Sequence, residues 1–169
     1  MAVLPDWRIH ELARAGVISP FDPDLVNPAS LDLRLGSTLL IESAEHVFTP
    51  YPLGNHDADH PYLLRPGQFV LAATLEQFHL PDDICGQLLL KSSRAREGLD
   101  HALAGWADPG FHGTLTLELR NNLQLHSQPL FPGLRIGQMV FMAMTDAPTT
   151  TYAVTGRYNG DPGATASRG

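Results

Sequence analysis

Two stretches of this 169-residue sequence place side chains that could do chemistry at regular spacing, and the first is KSSRAREG at residues 91–98. It follows an apolar run, so its serines are well placed to begin a short helix that the glycine ends. The first N–H groups of such a helix are free to bind an anion, and Arg96 lies one turn from Ser92. The octet predicts a phosphate-binding segment; the alternative is a capped surface helix with solvated cations.

The second stretch alternates apolar and polar residues, so Leu115, Leu117 and Leu119 point to one face of a predicted strand. Glu118 lies on the opposite face among uncharged neighbours. If that face lines a partly closed cavity, loss of water raises the pKa of the carboxyl toward a value suited to proton transfer. The alternative is a solvent-facing glutamate that pairs with Arg120 or with a cross-strand cation.

Other reactive residue types give weaker signals. Cys85 is the single cysteine, so we expect a small buried thiol rather than a disulfide or a cysteine-based zinc site. The segment HDADH at residues 56–60 has metal-ligand residue types but no scaffold, which favours a polar loop. The remaining histidines show no recognisable spacing, and neither a P-loop nor a Gly-x-Ser-x-Gly turn is present.

Composition limits the function classes further. The chain is 43% hydrophobic and 17% charged, which is enough apolar material for a packed core. A net charge of -7 argues against broad nucleic-acid or anionic-membrane binding, so an anionic ligand must be held locally. No run approaches the roughly 18 apolar residues of a membrane helix, and the start lacks signal-peptide order. We therefore expect a cytoplasmic protein.

The elements that must position these residues are mainly strands. One helix is predicted over residues 6–16, with Asp6 as its N-cap and Gly16 at its end. Two longer loops are expected, at residues 45–62 and from residue 155 onward. Short strands between proline and glycine turns predict one all-β sandwich or distorted barrel, whose open edges favour a symmetric dimer or trimer. The predicted strands are residues 30–36, 38–41, 68–73, 84–90, 113–120 and 135–144.

Together, the two stretches resemble the dCTP deaminase branch of the dUTPase-like superfamily, and the resemblance covers most of the chain. The matching segments, in order, are NPASLDLRLG at 27–36, KSSRAREG at 91–98, AGWADPGF at 104–111, Leu117-Glu118, LFPGLRIGQ at 130–138 and Ser167-Arg168. The resemblance implies an all-β fold, a distorted β-barrel or jelly-roll of the dUTPase-like type, with residues 1–169 as one domain. It also implies a homotrimer with active sites at the subunit interfaces.

The resemblance further implies an enzyme that hydrolyses dCTP to dUTP and ammonia, with Mg2+ on the triphosphate, no protein side chains binding metal, and no zinc. In it, Asp108 binds the deoxyribose 3'-hydroxyl and Phe111 lies near the sugar. The substrate-binding residues that it implies are Lys91, Ser92, Ser93, Arg96, Asp108, Phe111, Tyr152, Arg157 and Asp161.

Glu118 is the general base that this resemblance implies. It would take a proton from the water that attacks C4 of cytosine and deliver it to N3 and the departing ammonia. Ser92 and the main-chain carbonyl of Ala104 would orient that water, while Arg96 fixes the serine and the phosphates. Zinc deaminases need a cysteine pair that this chain lacks, which favours the metal-free type of deaminase.

Residues 155–169 resemble the family's closing segment, and their glycines suit a mobile lid over the nucleotide. The chain departs from the family pattern at three positions in or near the site. Lys91 replaces a more usual arginine, and Arg157 stands where a lysine is usual. Asp161 stands where a glutamine commonly touches the nucleotide, and its carboxylate would repel phosphates unless Mg2+ intervenes.

Three alternatives stay open. The first is a bifunctional enzyme that converts dCTP to dUMP and pyrophosphate, and the second is a dUTPase. Glu118 favours deamination, because phosphate hydrolysis needs no base beside C4. The third, more remote, is a non-catalytic nucleotide-sensing trimer. The expected partners are dCTP, further copies of the chain and dTTP as a feedback inhibitor, with no nucleic acid and no membrane.

Overall fold

In a computed structural model, which describes residues 2–45, 47–102 and 104–169, the chain is mainly β-structure. The strands are β1 (Ala2–Val3), β2 (Ile18–Ser19), β3 (Val26–Asn27), β4 (Ser30–Arg34), β5 (Thr38–Ile41), β6 (Thr49–Pro52), β7 (Tyr62–Leu64), β8 (Phe69–His79), β9 (Ile84–Leu90), β10 (Leu99–His101), β11 (Trp106–Ala107), β12 (His112–Asn121), β13 (Gln128–Leu130) and β14 (Arg135–Ala143). The helices are α1 (Asp6–Arg14), α2 (Ser92–Arg96) and α3 (Tyr152–Thr155). Within these ranges, no helix is long and apolar enough to cross a membrane. The prediction of an all-β fold is confirmed.

The strands form two six-stranded antiparallel sheets and one two-stranded antiparallel sheet of β7 and β13. The first sheet has the order β11-β9-β14-β4-β3, with β1 added beside β14. The second has the order β10-β12-β8-β5-β6, with β2 added beside β8. Neighbouring strands are thus often distant in sequence. The first of the two stretches forms α2 between β9 of the first sheet and β10 of the second, whereas Glu118 lies on β12 of the second sheet.

The core lies between the sheets and is built from the leucine-rich faces of the long strands. Phe78 of β8 and Phe141 of β14 meet there, with ring centroids 6.2 Å apart. Leu31 and Leu33 of β4 are buried in the same cluster as Leu117 of β12. Burial of these side chains provides the main favourable free energy of folding, since it removes apolar area from water.

The first helix begins one residue earlier than its predicted cap implies. Pro5 is the N-cap, and its carbonyl accepts hydrogen bonds from the N–H groups of Arg8 and Ile9. Asp6 is therefore the first helical residue, where its Oδ1 accepts from Trp7 N at 2.8 Å. Its negative charge still favours the helix start through the helix dipole. Gly16, with φ of 80°, follows the end of the helix as predicted.

Strand β4 is buried on both faces, whereas alternation predicted a half-buried strand. Asp32 is only 3% exposed. Its carboxylate accepts a hydrogen bond from Lys91 Nζ at 2.5 Å and another from Asn27 Nδ2 at 2.9 Å. These partners allow a charged group in the interior, because a buried charge is tolerated when it is paired and hydrogen-bonded.

One strand lies where a loop was predicted, and another is longer than predicted. β6 lies inside the predicted loop 45–62, and its two prolines are accommodated because it is the edge strand of its sheet. β8 continues to His79, beyond its predicted end, and carries Glu76 into the interior. Arg34 donates to Glu76 from Nε at 2.7 Å and from its main-chain N at 2.9 Å, which satisfies the buried carboxylate.

Candidate active site

A cavity of about 420 Å3 opens beside β12. Residues 158–167 of the C-terminal tail, which we define as residues 155–169, close one side of it. We call this cavity the cleft. Its walls combine apolar side chains with a few polar groups, as small-molecule sites usually do. The structure brings part of the predicted site together here: the cleft is lined by Ala104, Asp108, Phe111, Glu118, Tyr152 and Asp161.

Glu118 is held in the cleft by the central part of β12, where it pairs in register with Leu71 of β8. Its side chain is 24% exposed. Burial raises the pKa of the Glu118 carboxyl above its ordinary value, and a hydrogen bond with its own main chain opposes that shift in part. The carboxyl is therefore neither a solvent-facing group nor a partner of Arg120. Its environment suits a proton acceptor.

His101 is the neighbour of Glu118 that sequence reasoning missed. Strand β10 pairs with β12, and His101 Nε2 lies 3.6 Å from Glu118 Oε2, too long for a hydrogen bond. Neither atom has a hydrogen-bond partner among the described residues. Burial lowers the pKa of the His101 imidazole, although a hydrogen bond to the main chain of Ala102 and the Asp100 charge oppose the shift. An imidazole whose burial favours the neutral form thus lies against the proposed base.

The turn before β12 positions the predicted sugar-binding residues. Asp108 accepts a hydrogen bond from Trp106 Nε1 at 3.0 Å, so the carboxylate has a defined orientation. Phe111 is buried, and its ring centroid lies 5.8 Å from that of Tyr152. Tyr152 is in turn tied to this turn by its main-chain N–H, which donates to Pro109 O at 2.9 Å. These contacts form one end of the cleft.

The predicted phosphate-binding residues of α2 lie away from the cleft. The helix spans Ser92–Arg96 with Lys91 as N-cap, and neither serine hydroxyl caps it. Gly98, with φ of 93°, follows its end as predicted, and a Cβ there would overlap the side chain of Leu123. Residues 92, 93 and 96 are exposed. Within one copy, these side chains are not among the residues that line the cleft with Glu118.

Lys91 differs from the expectation in its contacts. Its ammonium pairs with buried Asp32, and the Lys91 side chain is 29% exposed. The ion pair joins the end of β9 to β4 through two residues far apart in sequence. Lys91 thus has a structural partner, and its predicted contact with substrate remains a prediction.

The tail packs along β12. Thr114 N donates to Asp161 O at 3.1 Å, and Thr165 N donates to Thr116 Oγ1 at 3.3 Å. Tyr158, Thr165 and Ser167 join Asp161 in lining the cleft. Arg157 is exposed, and the structure does not bring it into the cleft wall formed by the described residues. The position of the tail agrees with the predicted lid, while its mobility remains a prediction.

The loop at residues 56–60 is held by its own hydrogen bonds. Asp57 Oδ1 accepts from the N–H groups of Asp59 and His60, which lowers the pKa of the Asp57 carboxyl. His56 Nε2 lies 3.1 Å from the hydroxyl of Tyr51. These contacts give the histidine and the aspartate a structural role in the loop.

Comparison with known proteins identifies the family of this chain. Residues 3–144 match the family model described as dCTP deaminase-like. A protein of Corynebacterium efficiens named "dCTP deaminase, dUMP-forming" is 40% identical over 165 residues, covering 90% of this chain and 85% of the relative. A protein of the same name from Acidothermus cellulolyticus is 41% identical over 172 residues, covering 94% of this chain and 90% of the relative.

A solved structure supports the fold. The crystal structure of 2'-deoxycytidine 5'-triphosphate deaminase from Agrobacterium tumefaciens superposes with a TM-score of 0.71 at 24% identity. The match covers 84% of this chain and 48% of the solved chain, so this chain spans about half the length of that protein. With the family match over most of its length, the chain belongs to the dCTP deaminase-like family.

Proposed function

We propose that this protein is an enzyme that deaminates dCTP hydrolytically with Glu118 as the general base. The position of Glu118 carries the proposal: a half-buried carboxyl with a raised pKa lies in a cleft of suitable size. Relatives at about 40% identity that carry the name dCTP deaminase support the substrate and the reaction.

The reaction requires water, one base and a path for two protons. Water adds to C4 of cytosine as Glu118 takes one of its protons and passes it to N3. Glu118 then carries the second proton from the new hydroxyl to the amino group. The C4–N4 bond breaks, ammonia leaves, and uracil remains with Glu118 again ionised. The carbonyl of Ala104 and the hydroxyl of Ser92 are the proposed acceptors that orient the water.

Metal has no direct part in this proposed step. The described residues contain no group of three His, Cys, Asp or Glu side chains that could hold a metal ion. Cys85, the single cysteine, is buried away from the cleft. On the resemblance, water activation is assigned to Glu118 without zinc, and Mg2+ is assigned to the nucleotide triphosphate, where it would offset the phosphate charges.

The complete site requires a second copy of the chain. Glu118 and Asp108 line the cleft, whereas Ser92, Ser93 and Arg96 are exposed on α2 and are not among the residues that line it. A homotrimer would bring α2 of one subunit to the cleft of the next through a head-to-tail contact. The exposed serines and arginine would then bind the phosphates, together with Arg157 of the tail.

The names of the relatives favour dUMP over dUTP as the final product. Both close relatives described above are called dUMP-forming. This favours the bifunctional alternative, in which dUTP is hydrolysed further to dUMP and pyrophosphate. Feedback inhibition by dTTP is proposed on the resemblance alone.

The test is incubation of the purified protein with dCTP and Mg2+, with separate measurement of ammonia, pyrophosphate and nucleotides. Ammonia with dUMP and pyrophosphate supports the bifunctional enzyme, and ammonia with dUTP supports a deaminase alone. Full activity after treatment with a zinc chelator is expected. If dCTP is inert, hydrolysis of dUTP would identify a dUTPase, and binding without turnover would identify a sensor.

Glu118→Gln provides the mechanistic control. It keeps the size and most of the polarity of the side chain but removes the base, so we expect deamination to fall by about 10³-fold or more. Binding of dCTP, measured by calorimetry, should change less than about threefold. Near-normal turnover in this variant would show that another group activates the water.

A further inference from the structure

Asp161 has a well-defined place in the wall of the cleft. Its main chain forms a bridge with Gly113, and its neighbour Gly160 donates from N to His112 O at 2.7 Å. Its side chain is 13% exposed. The carboxylate is therefore held beside a cavity that, under the proposed function, receives a triphosphate. An unpaired negative charge at this place would oppose binding.

Arg168 is the partner of that carboxylate. Its Nη2 lies 2.7 Å from Asp161 Oδ1, and its Nη1 donates to Arg157 O at 2.6 Å. The guanidinium carbon also lies 5.5 Å from the ring centroid of Tyr158, which adds a cation–π contact. One arginine thus connects three separate points of the tail and bends it back over the cleft.

The second carboxylate oxygen shows how far Asp161 depends on this arginine. Asp161 Oδ2 is buried and has no hydrogen-bond partner within residues 2–45, 47–102 and 104–169. The ion pair at Oδ1 is consequently the contact that offsets the carboxylate charge in this part of the chain. Loss of Arg168 would leave a largely buried charge without compensation, which is more damaging than loss of an exposed pair.

We propose that Asp161 and Arg168 are positioning residues that form a clasp. The clasp holds the tail over the cleft before nucleotide binds, and it neutralises the charge that Asp161 brings to the site. The effect on nucleotide binding rests on the proposed function, whereas closure of the tail in the free protein does not. Because a pre-closed site binds without first ordering its lid, the clasp should lower the KM for dCTP more than it changes kcat.

Closure is tested first, in the nucleotide-free protein, by hydrogen exchange of the tail amides followed by mass spectrometry. Arg168→Ala should speed exchange over residues 158–167 by about threefold to tenfold, since it removes one ion pair and one cation–π contact. Arg8→Ala is the matched control. Arg8 also pairs with a carboxylate, Glu11 at 2.6 Å, and lies 5.8 Å from the Trp7 ring, but on α1.

The control variant should leave exchange in the tail unchanged. Unchanged exchange in Arg168→Ala as well would overturn the clasp, whether or not the protein deaminates dCTP. This experiment requires no substrate, so its result is independent of the proposed reaction.

The charge effect is tested by a double-mutant cycle with dCTP deamination as the readout. Arg168→Ala should raise KM by about threefold to tenfold with kcat changed less than twofold. Adding Asp161→Asn to that variant removes the uncompensated charge and should recover part of the KM. If the change in KM of the double variant, expressed as a free energy, equals the sum of the changes in the two single variants, the residues act independently and the proposal is wrong. Wild-type protein without activity would instead refute the proposed function.

Discussion

Glu118, the proposed base, has an environment that disfavours its ionised form. It lies on the polar face of a strand, yet the tail and the loop before β12 line the cleft around it, and its Oε2 has no hydrogen-bond partner among the described residues. Its ionised form is therefore less favourable in the folded protein than in water, which is the reason that its pKa is raised. A base prepared in this way accepts a proton more readily than an exposed glutamate.

This arrangement predicts a pH-dependent effect of Glu118→Gln on stability. A raised pKa means that the folded state favours the protonated carboxyl. The contribution of Glu118 to stability is therefore fully present below the ordinary pKa of 4.5 and is lost as pH rises through the folded pKa. At pH 8 the unfolding free energy of the variant, measured by urea denaturation, should therefore exceed that of wild type by on the order of 1 kcal/mol. At pH 4 the gain should vanish. Equal effects at both values of pH would contradict this account.

At the scale of elements, β12 organises the site. It carries Glu118, pairs with β10 to place His101, and provides the backbone groups on which the tail lies. Gly113, with φ of 126°, is a point of close approach between β12 and the tail, because a Cβ there would lie 2.8 Å from Asp161 O. Only glycine allows both this conformation and this approach.

Gly113→Ala should separate the tail from β12. We expect a loss of about 1–3 kcal/mol in unfolding free energy and at least a tenfold loss in kcat/KM for dCTP. Gly67→Ala is the control, since Gly67 has a positive φ of 73° but no atom within 4 Å of the added Cβ. The control should lose stability while keeping tail protection in hydrogen exchange. Similar loosening of the tail in both variants would mean that strain, and not the contact, is responsible.

At the scale of the whole molecule, the residues of the proposed site fall into two separate groups. The cleft contains the proposed base and the proposed sugar-binding residues, and the proposed phosphate-binding residues of α2 are not among those that line it. A head-to-tail ring would unite one set from each of two neighbours at every interface. The assembly, under this proposal, is required for activity and not only for stability.

Mixing two inactive variants tests this division. Arg96→Ala and Glu118→Gln should each be inactive alone, because each removes one half of every site. Coexpressed in equal amounts and assembled at random, they should regain about one quarter of the wild-type rate, as the chance that a site combines both intact halves is one half squared. Mass measurement should show a trimer. No recovery in mixed assemblies would place both residues in a site within one subunit.

Much of the architecture could be predicted from local patterns. Strand-like runs between proline and glycine turns predicted the bounds of β9 and most of β14, and alternation predicted most of β12, because every second side chain of a strand shares a face. β6 was missed, since its prolines are unfavourable everywhere except on an edge, and edge position is not a local property. Buried charges at Asp32 and Glu76 also obscured the pattern, because their partners lie in distant segments.

The sequence by itself determined the residue types of the site: a glutamate in an apolar strand, a Ser-Ser-x-Ala-Arg segment ended by a glycine, and a glycine-rich tail. Tertiary structure alone decided which of them meet. The approach of His101 to Glu118 depends on the pairing of β10 with β12, and the contact of Asp161 with Arg168 depends on how the tail bends. Strand order and register follow from packing of the whole core, so no short segment contains that information.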